Sequence, residues 1–178
     1  MRLQRTVVTD KPLGKVFDYL SDFTSTTDWD PGTVTTIRLD GDGGVGTSYL
    51  NTSEFLGRRT ELRYVVQEFV PGERVRLRGE NKTVISVDTM AFRPAAAGTE
   101  VTYTAEFAFK GAARYLAPLF RPALTRLGNQ AVAGLCRALG RLALREGRSP
   151  LGPGLVARRA PRHRSPRTGS AGRPRRAP

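Results

Sequence analysis

Between about residues 33 and 109 the chain is a succession of short segments that alternate with period two, and one long apolar stripe then occupies about 112–146. In the last alternating segment Val101, Tyr103, Ala105, Phe107 and Phe109 share one parity, while Glu100, Thr102, Thr104 and Glu106 share the other. A strand reads this way when one face meets a core and the other meets water. In the closing segment Leu116, Phe120, Leu124, Leu127, Ala131, Leu135, Ala138 and Leu142 step by three or four, the spacing of one helix face. A sheet with one dry face, and a single long helix to cover it, predicts a curved sheet gripping that helix. The space between them is where a greasy small molecule would sit.

The remaining elements follow from punctuation. Residues 2–9 read as a first strand. Asp10 is the expected N-cap of a short helix with Pro12 in its first turn and Val16, Phe17 and Leu20 as its apolar stripe. Ser21 or Asp22 is expected to cap a second short turn around Phe23, ended by Trp29-Asp30-Pro31-Gly32. Strands are expected at about 33–39, 46–56, 58–70, 73–79, 83–92 and 99–109, separated by glycine- and proline-bearing turns. With the first strand these make seven, and their short links favour an antiparallel meander. Pro118 and Pro122 predict a break, with a short helix near 112–120 and a long one starting at Pro122. Gly128, Ala131 and Gly134 recur at intervals of three, a pattern that serves either close packing or ligand space.

At 178 residues the chain suits one core. No run approaches the roughly 18 apolar residues of a membrane span, and the N-terminal residues lack the pattern of a secretory signal, so the cytoplasm is the expected compartment. The net charge of +13 is mostly local: residues 148–178 hold nine arginines and no acid, which leaves 20 basic against 16 acidic residues before them. A domain at 1–147 and a disordered Arg/Pro-rich basic tail at 148–178 are expected. The tail reads either as a solvated extension or as a non-specific contact for an anionic partner, RNA or lipid headgroups.

Several chemistries are disfavoured by inventory. Gly41, Gly43 and Gly46 match G-x-G-x-x-G in form, but an alternating stretch follows where a dinucleotide site needs a helix. The single histidine, His163, lies in the tail, so zinc sites and His-dependent nucleophiles lack a structured imidazole. No metal and no cofactor is expected. Cys136, alone on the long helix, reads as a small buried hydrophobe. Asp28, Asp30, Glu68 and Asp88 are the carboxyls that, if aimed into a greasy cavity, would acquire a raised pKa and serve as acid or base. Tyr49, Tyr64 and Tyr103 combine a large apolar body with one orienting hydroxyl.

The ordered stretches Val16-Phe17-Asp18-Tyr19-Leu20-Ser21-Asp22, Trp29-Asp30-Pro31-Gly32, Gly44-Val45-Gly46-Thr47 and Tyr64-Val65-Val66-Gln67-Glu68-Phe69-Val70-Pro71 carry a family likeness. Gly98-Thr99-Glu100-Val101-Thr102-Tyr103 and Leu116-Ala117-Pro118-Leu119-Phe120 extend it. Over about residues 1–146 the chain resembles the START-like (Bet v 1-like, SRPBCC) superfamily, and within it the bacterial polyketide cyclase/dehydrase and lipid-transport branch. The resemblance implies an α+β helix-grip fold: a seven-stranded curved antiparallel sheet around a long C-terminal helix, with two short helices between strands one and two. It also implies a hydrophobic cavity for lipids, polyketides, sterols or quinones, and in some members cyclisation or dehydration of a poly-keto chain.

On this reading the cavity wall is expected from Trp29, Tyr49, Tyr64, Val66, Leu77, Tyr103, Phe107, Phe120, Leu127, Ala131 and Leu135, with mostly apolar inward positions. Tyr64 and Tyr103 are the candidates for catalytic hydroxyls. Carriage of a hydrophobic small molecule is the favoured function, a cyclase/dehydrase the alternative, and a docking protein acting through the tail the third. A monomer or weak dimer is expected.

Overall fold

The computed structural model describes residues 1–145 of the chain. Strand β1 (Arg2–Thr9) leads to helix α1 (Leu13–Ser21), a 3-10 turn (Phe23–Ser25) and the short helix α2 (Thr26–Trp29). Six strands follow: β2 (Thr33–Asp40), β3 (Ser48–Phe55), β4 (Arg58–Val70), β5 (Arg74–Glu80), β6 (Val84–Ala95) and β7 (Gly98–Phe109). Helix α3 (Ala113–Arg145) closes the described part. The strands form one antiparallel sheet in the order β1-β7-β6-β5-β4-β3-β2. Sequence neighbours from β2 to β7 are spatial neighbours, as short links require. β1 joins at β7, with Arg2 opposite Glu106 and Thr9 opposite Thr99. This is the helix-grip architecture expected from the alternation.

The concave face is not covered evenly. Aromatic residues of α1 and the 3-10 turn fill one part: the Phe17 ring lies 5.3 Å from Phe69 and 5.1 Å from Phe92, and Phe23 lies 4.7 Å from Tyr64. Helix α3 covers the rest through Leu124, Ala131, Leu135, Ala138 and Leu139, all buried. Its approach depends on Gly134, where a Cβ would fall on the carbonyl oxygen of Trp29. Packing, rather than ligand space, explains that glycine.

Three expectations are corrected. Helix α3 runs unbroken through Pro118 and Pro122. Both prolines face solvent, while Phe120 packs 5.8 Å from Phe55 and 5.5 Å from Phe109, and Leu124 is buried. Tertiary packing of that kind outweighs the roughly 3 kcal/mol cost of an interior proline. Asp10 does not cap α1, because the helix begins three residues later at Leu13; the carboxylate pairs with Lys11 at 2.8 Å, and Pro12 holds the cap position. Asp22, by contrast, accepts the Thr24 backbone N–H at 3.1 Å and caps the 3-10 turn. Cys136 is exposed, since it follows Leu135 by one helical step, about 100°, away from the inward stripe. The tail lies outside the described residues. No helix among them is long and apolar enough to cross a membrane.

Candidate functional site

The uneven cover leaves a cavity of about 160 Å³ between the sheet and α3. Strand parity explains its wall. Asn51, Ser53 and Phe55 of β3, Thr60, Leu62 and Tyr64 of β4, Ser86 and Asp88 of β6, and Tyr103, Ala105 and Phe107 of β7 take every second position and face inward. Helix α3 contributes Leu124, Leu127, Gly128 and Ala131, and α2 contributes Trp29. Two glycines set its shape. The Tyr64 ring lies over Gly79, its partner across β5, at a spacing that leaves no room for a Cβ. A Cβ on Gly32 would stand 2.9 Å from the Leu127 side chain.

The inner end of the cavity is polar. Asp88 is only 4% exposed, and its carboxylate accepts the Tyr103 hydroxyl at 2.6 Å and the Ser86 hydroxyl at 2.8 Å. Burial pushes the Asp88 carboxyl above its ordinary value, opposed by the hydroxyls of Tyr103, Ser86 and Tyr64 and reinforced by the charge of Asp30. Asp30 accepts the Gly32 backbone N–H at 3.0 Å and the Thr33 hydroxyl at 2.9 Å. Its carboxyl is also raised by burial. Burial first, and then the Asp88 charge, lift the Tyr64 and Tyr103 hydroxyls well above theirs. Trp29 sits edge-on to Tyr103 at 5.6 Å and donates its indole N–H to Ser25 at 3.3 Å. Toward the Phe109 end of β7 the wall becomes apolar, with Phe55, Phe107 and Phe109, while Arg5 stands on β1 opposite Tyr103. The chemistry on offer is apolar burial around two buried carboxyls, Asp88 and Asp30. Among the described residues no cluster of His, Cys, Asp and Glu is disposed to hold a metal ion.

Of the residues expected on the wall, Trp29, Tyr64, Tyr103, Phe107, Leu127 and Ala131 line the cavity. Tyr49, Val66, Leu77 and Leu135 are instead buried in the filled part of the core. Tyr49 packs on Phe23 at 5.7 Å, and Val66 pairs with Leu77 across β4 and β5, so no space remains beside them. Leu135 follows Gly134, where α3 already abuts α2. Phe120 is half-buried against Phe55 and Phe109 rather than on the wall. Asn51, Ser53, Thr60 and Ser86 were not anticipated, and the inward positions are more polar than expected. Parity carried a signal for Ser86 and Asp88, which share a face with the buried Met90 and Phe92.

No curated protein matches the chain in sequence. Solved structures do match in fold. The Zhui aromatase/cyclase of a Streptomyces species superposes with a TM-score of 0.67 at 15% identity, over 86% of this chain and 99% of that one. A protein of Thermus thermophilus gives 0.64 at 17% identity, over 83% and 99%. Ara h 8.0201 gives 0.61 at 14% identity, over 81% and 98%. At these identities the likeness establishes the fold alone. The family model described as polyketide cyclase/dehydrase and lipid transport matches residues 1–144, four-fifths of the sequence. The chain therefore belongs to the polyketide cyclase/dehydrase and lipid transport family.

Proposed function

We propose that the protein binds a small hydrophobic molecule in the cavity between the sheet and α3. The observation that carries this reading is the wall itself: a partly open, largely apolar space with polar groups gathered at one end. The volume bears on what fits. An apolar cavity of roughly 150 Å³ takes up benzene, so about one ring or a short aliphatic segment is enclosed here. A longer lipid, polyketide or quinone would extend beyond this space. Burial of its apolar surface would supply about 25 cal/mol per Å² before the costs of association. Native mass spectrometry of gently purified full-length protein tests the reading. A co-purifying small molecule, displaced by an aromatic probe, is the expected result. A protein that is empty and takes up no apolar probe at any concentration overturns it.

Asp88 favours a second reading, that of a cyclase or dehydrase. A carboxyl held above its ordinary value beside a tyrosine hydroxyl at 2.6 Å is suited to moving a proton on a bound enolisable substrate. Turnover of a poly-keto substrate, lost in Tyr103→Phe while the fold is kept, supports it; no turnover of any such substrate removes it. Docking on RNA or lipid headgroups through the tail concerns residues outside those described.

A further inference from the structure

The valences at the inner end are nearly all of one kind. The Tyr103 and Ser86 hydroxyl protons are given to Asp88, and the Tyr64 hydroxyl is held toward the same Ser86–Asp88 pair. The Thr33 hydroxyl is given to Asp30. The Asn51 amide donates to Thr36 at 2.7 Å and Thr33 at 3.2 Å, and Ser53 donates to the Asn51 carbonyl oxygen at 2.6 Å. These donors are therefore spent inside the protein. Acceptor capacity is not: an ionised carboxyl offers about four lone-pair sites, more than the partners above occupy on either Asp88 or Asp30. Both carboxyls line the same space. Among the described residues the one cation on the wall is Arg5, opposite Tyr103 in the β1–β7 register, and its guanidinium donates to Asn129 at 2.7 and 3.0 Å and to the Gln4 carbonyl at 2.8 Å.

We propose that the inner end of the cavity selects ligands that terminate in a hydrogen-bond donor, a phenol, alcohol or amine, and rejects those that terminate in a carboxylate. A donor group finds unused acceptors where water is excluded, and hydrogen bonds to a charged partner are the strong ones. A carboxylate finds no unspent donor among these groups and two like charges, with desolvation added. An amphiphile consequently enters with its donor end inward and any anionic end left at the edge. This proposal rests on the cavity being a ligand site, and its test separates the two ideas.

The probes are ethylbenzene, 4-ethylphenol and 4-ethylbenzoate, titrated at neutral pH into the full chain. Calorimetry and the emission of Trp29, the chain's one tryptophan and part of the cavity wall, report binding. The phenol is expected to bind about 10- to 100-fold more tightly than ethylbenzene, the scale of one hydrogen bond to a charged group. The benzoate is expected to bind at least about tenfold more weakly than ethylbenzene. Asp88→Asn replaces an acceptor with a donor, and should shrink the phenol preference while improving benzoate binding. Leu119→Ala, at an exposed site off the cavity wall, leaves the carboxyl and its partners in place and should keep the order of the three probes. Benzoate binding as tightly as the phenol in the wild-type protein overturns the proposal while leaving the ligand site standing. Failure of all three probes to bind overturns the ligand site itself. The wild-type series decides even if Asp88→Asn does not fold.

Discussion

Replacing Ala131 by leucine puts added volume into the cavity from the helix side. Ala131 is 4% exposed and lines the space, so its Cβ substituent has somewhere to go. Three added carbons, at about 0.8 kcal/mol each, contribute roughly 2.4 kcal/mol. Ordering the leucine side chain takes back about 0.5–1 kcal/mol. The net gain of about 1.5 kcal/mol corresponds to a rise in Tm on the order of 6 °C for a domain of this size. The same leucine occupies the ligand's place, so affinity for 4-ethylphenol should fall by tenfold or more. Thermal melts followed by circular dichroism, together with Trp29 emission titrations, read both quantities. In a core that was already full, overpacking would cost about 1–3 kcal/mol instead. A lowered Tm with probe binding unchanged would refute the cavity as the ligand's seat.

Other substitutions probe the frame and the acid. Gly134→Ala drives a Cβ onto the Trp29 carbonyl and should cost about 3 kcal/mol or more, whereas Gly140→Ala meets open space and should gain roughly 0.5–1 kcal/mol; urea midpoints read both. Leu135→Ala, at 1% exposure, should cost about 2–5 kcal/mol, against less than about 0.5 kcal/mol for Leu119→Ala at 73%, again from urea midpoints. The raised Asp88 carboxyl means that the folded state holds this proton more tightly than the unfolded chain. The stabilisation is complete below the ordinary value of 3.8 and is lost as pH rises through the raised one, with Asp30 adding to the slope. Asp88→Asn removes its share, so its stability relative to wild type should improve as pH rises above the ordinary value of 3.8. Parallel stability curves would contradict this assignment.

Alternation made the sheet legible, because the central strands β4 to β6 bury one parity and short turns leave only neighbour pairing. It also held the clue to the inner carboxyl: counting back by twos from Phe92 and Met90 reaches Asp88 and Ser86. Which part of the concave face is filled was not legible. That depends on Phe17 and Phe23 arriving from α1 and the turn after it, a tertiary event that puts Tyr49 and Leu77 in solid core and leaves Tyr64 on the cavity wall. The proline rule misled at Pro118 and Pro122 because it prices the isolated helix and omits the aromatic cluster around Phe120. Tyr64 reaches its place only because a glycine stands opposite it, and pairing partners are not written in either strand alone.

The unbroken course of α3 carries a mechanical consequence. Pro118 and Pro122 have no N–H to give the carbonyls of Arg114 and Pro118, so two rungs of the helical ladder are absent in succession. Flexure near those prolines strains fewer backbone hydrogen bonds than elsewhere along α3, whereas the portion keyed into α2 through Gly134 cannot shift without collision. Helix α3 is thus easier to bend near Pro118 and Pro122 than at Gly134.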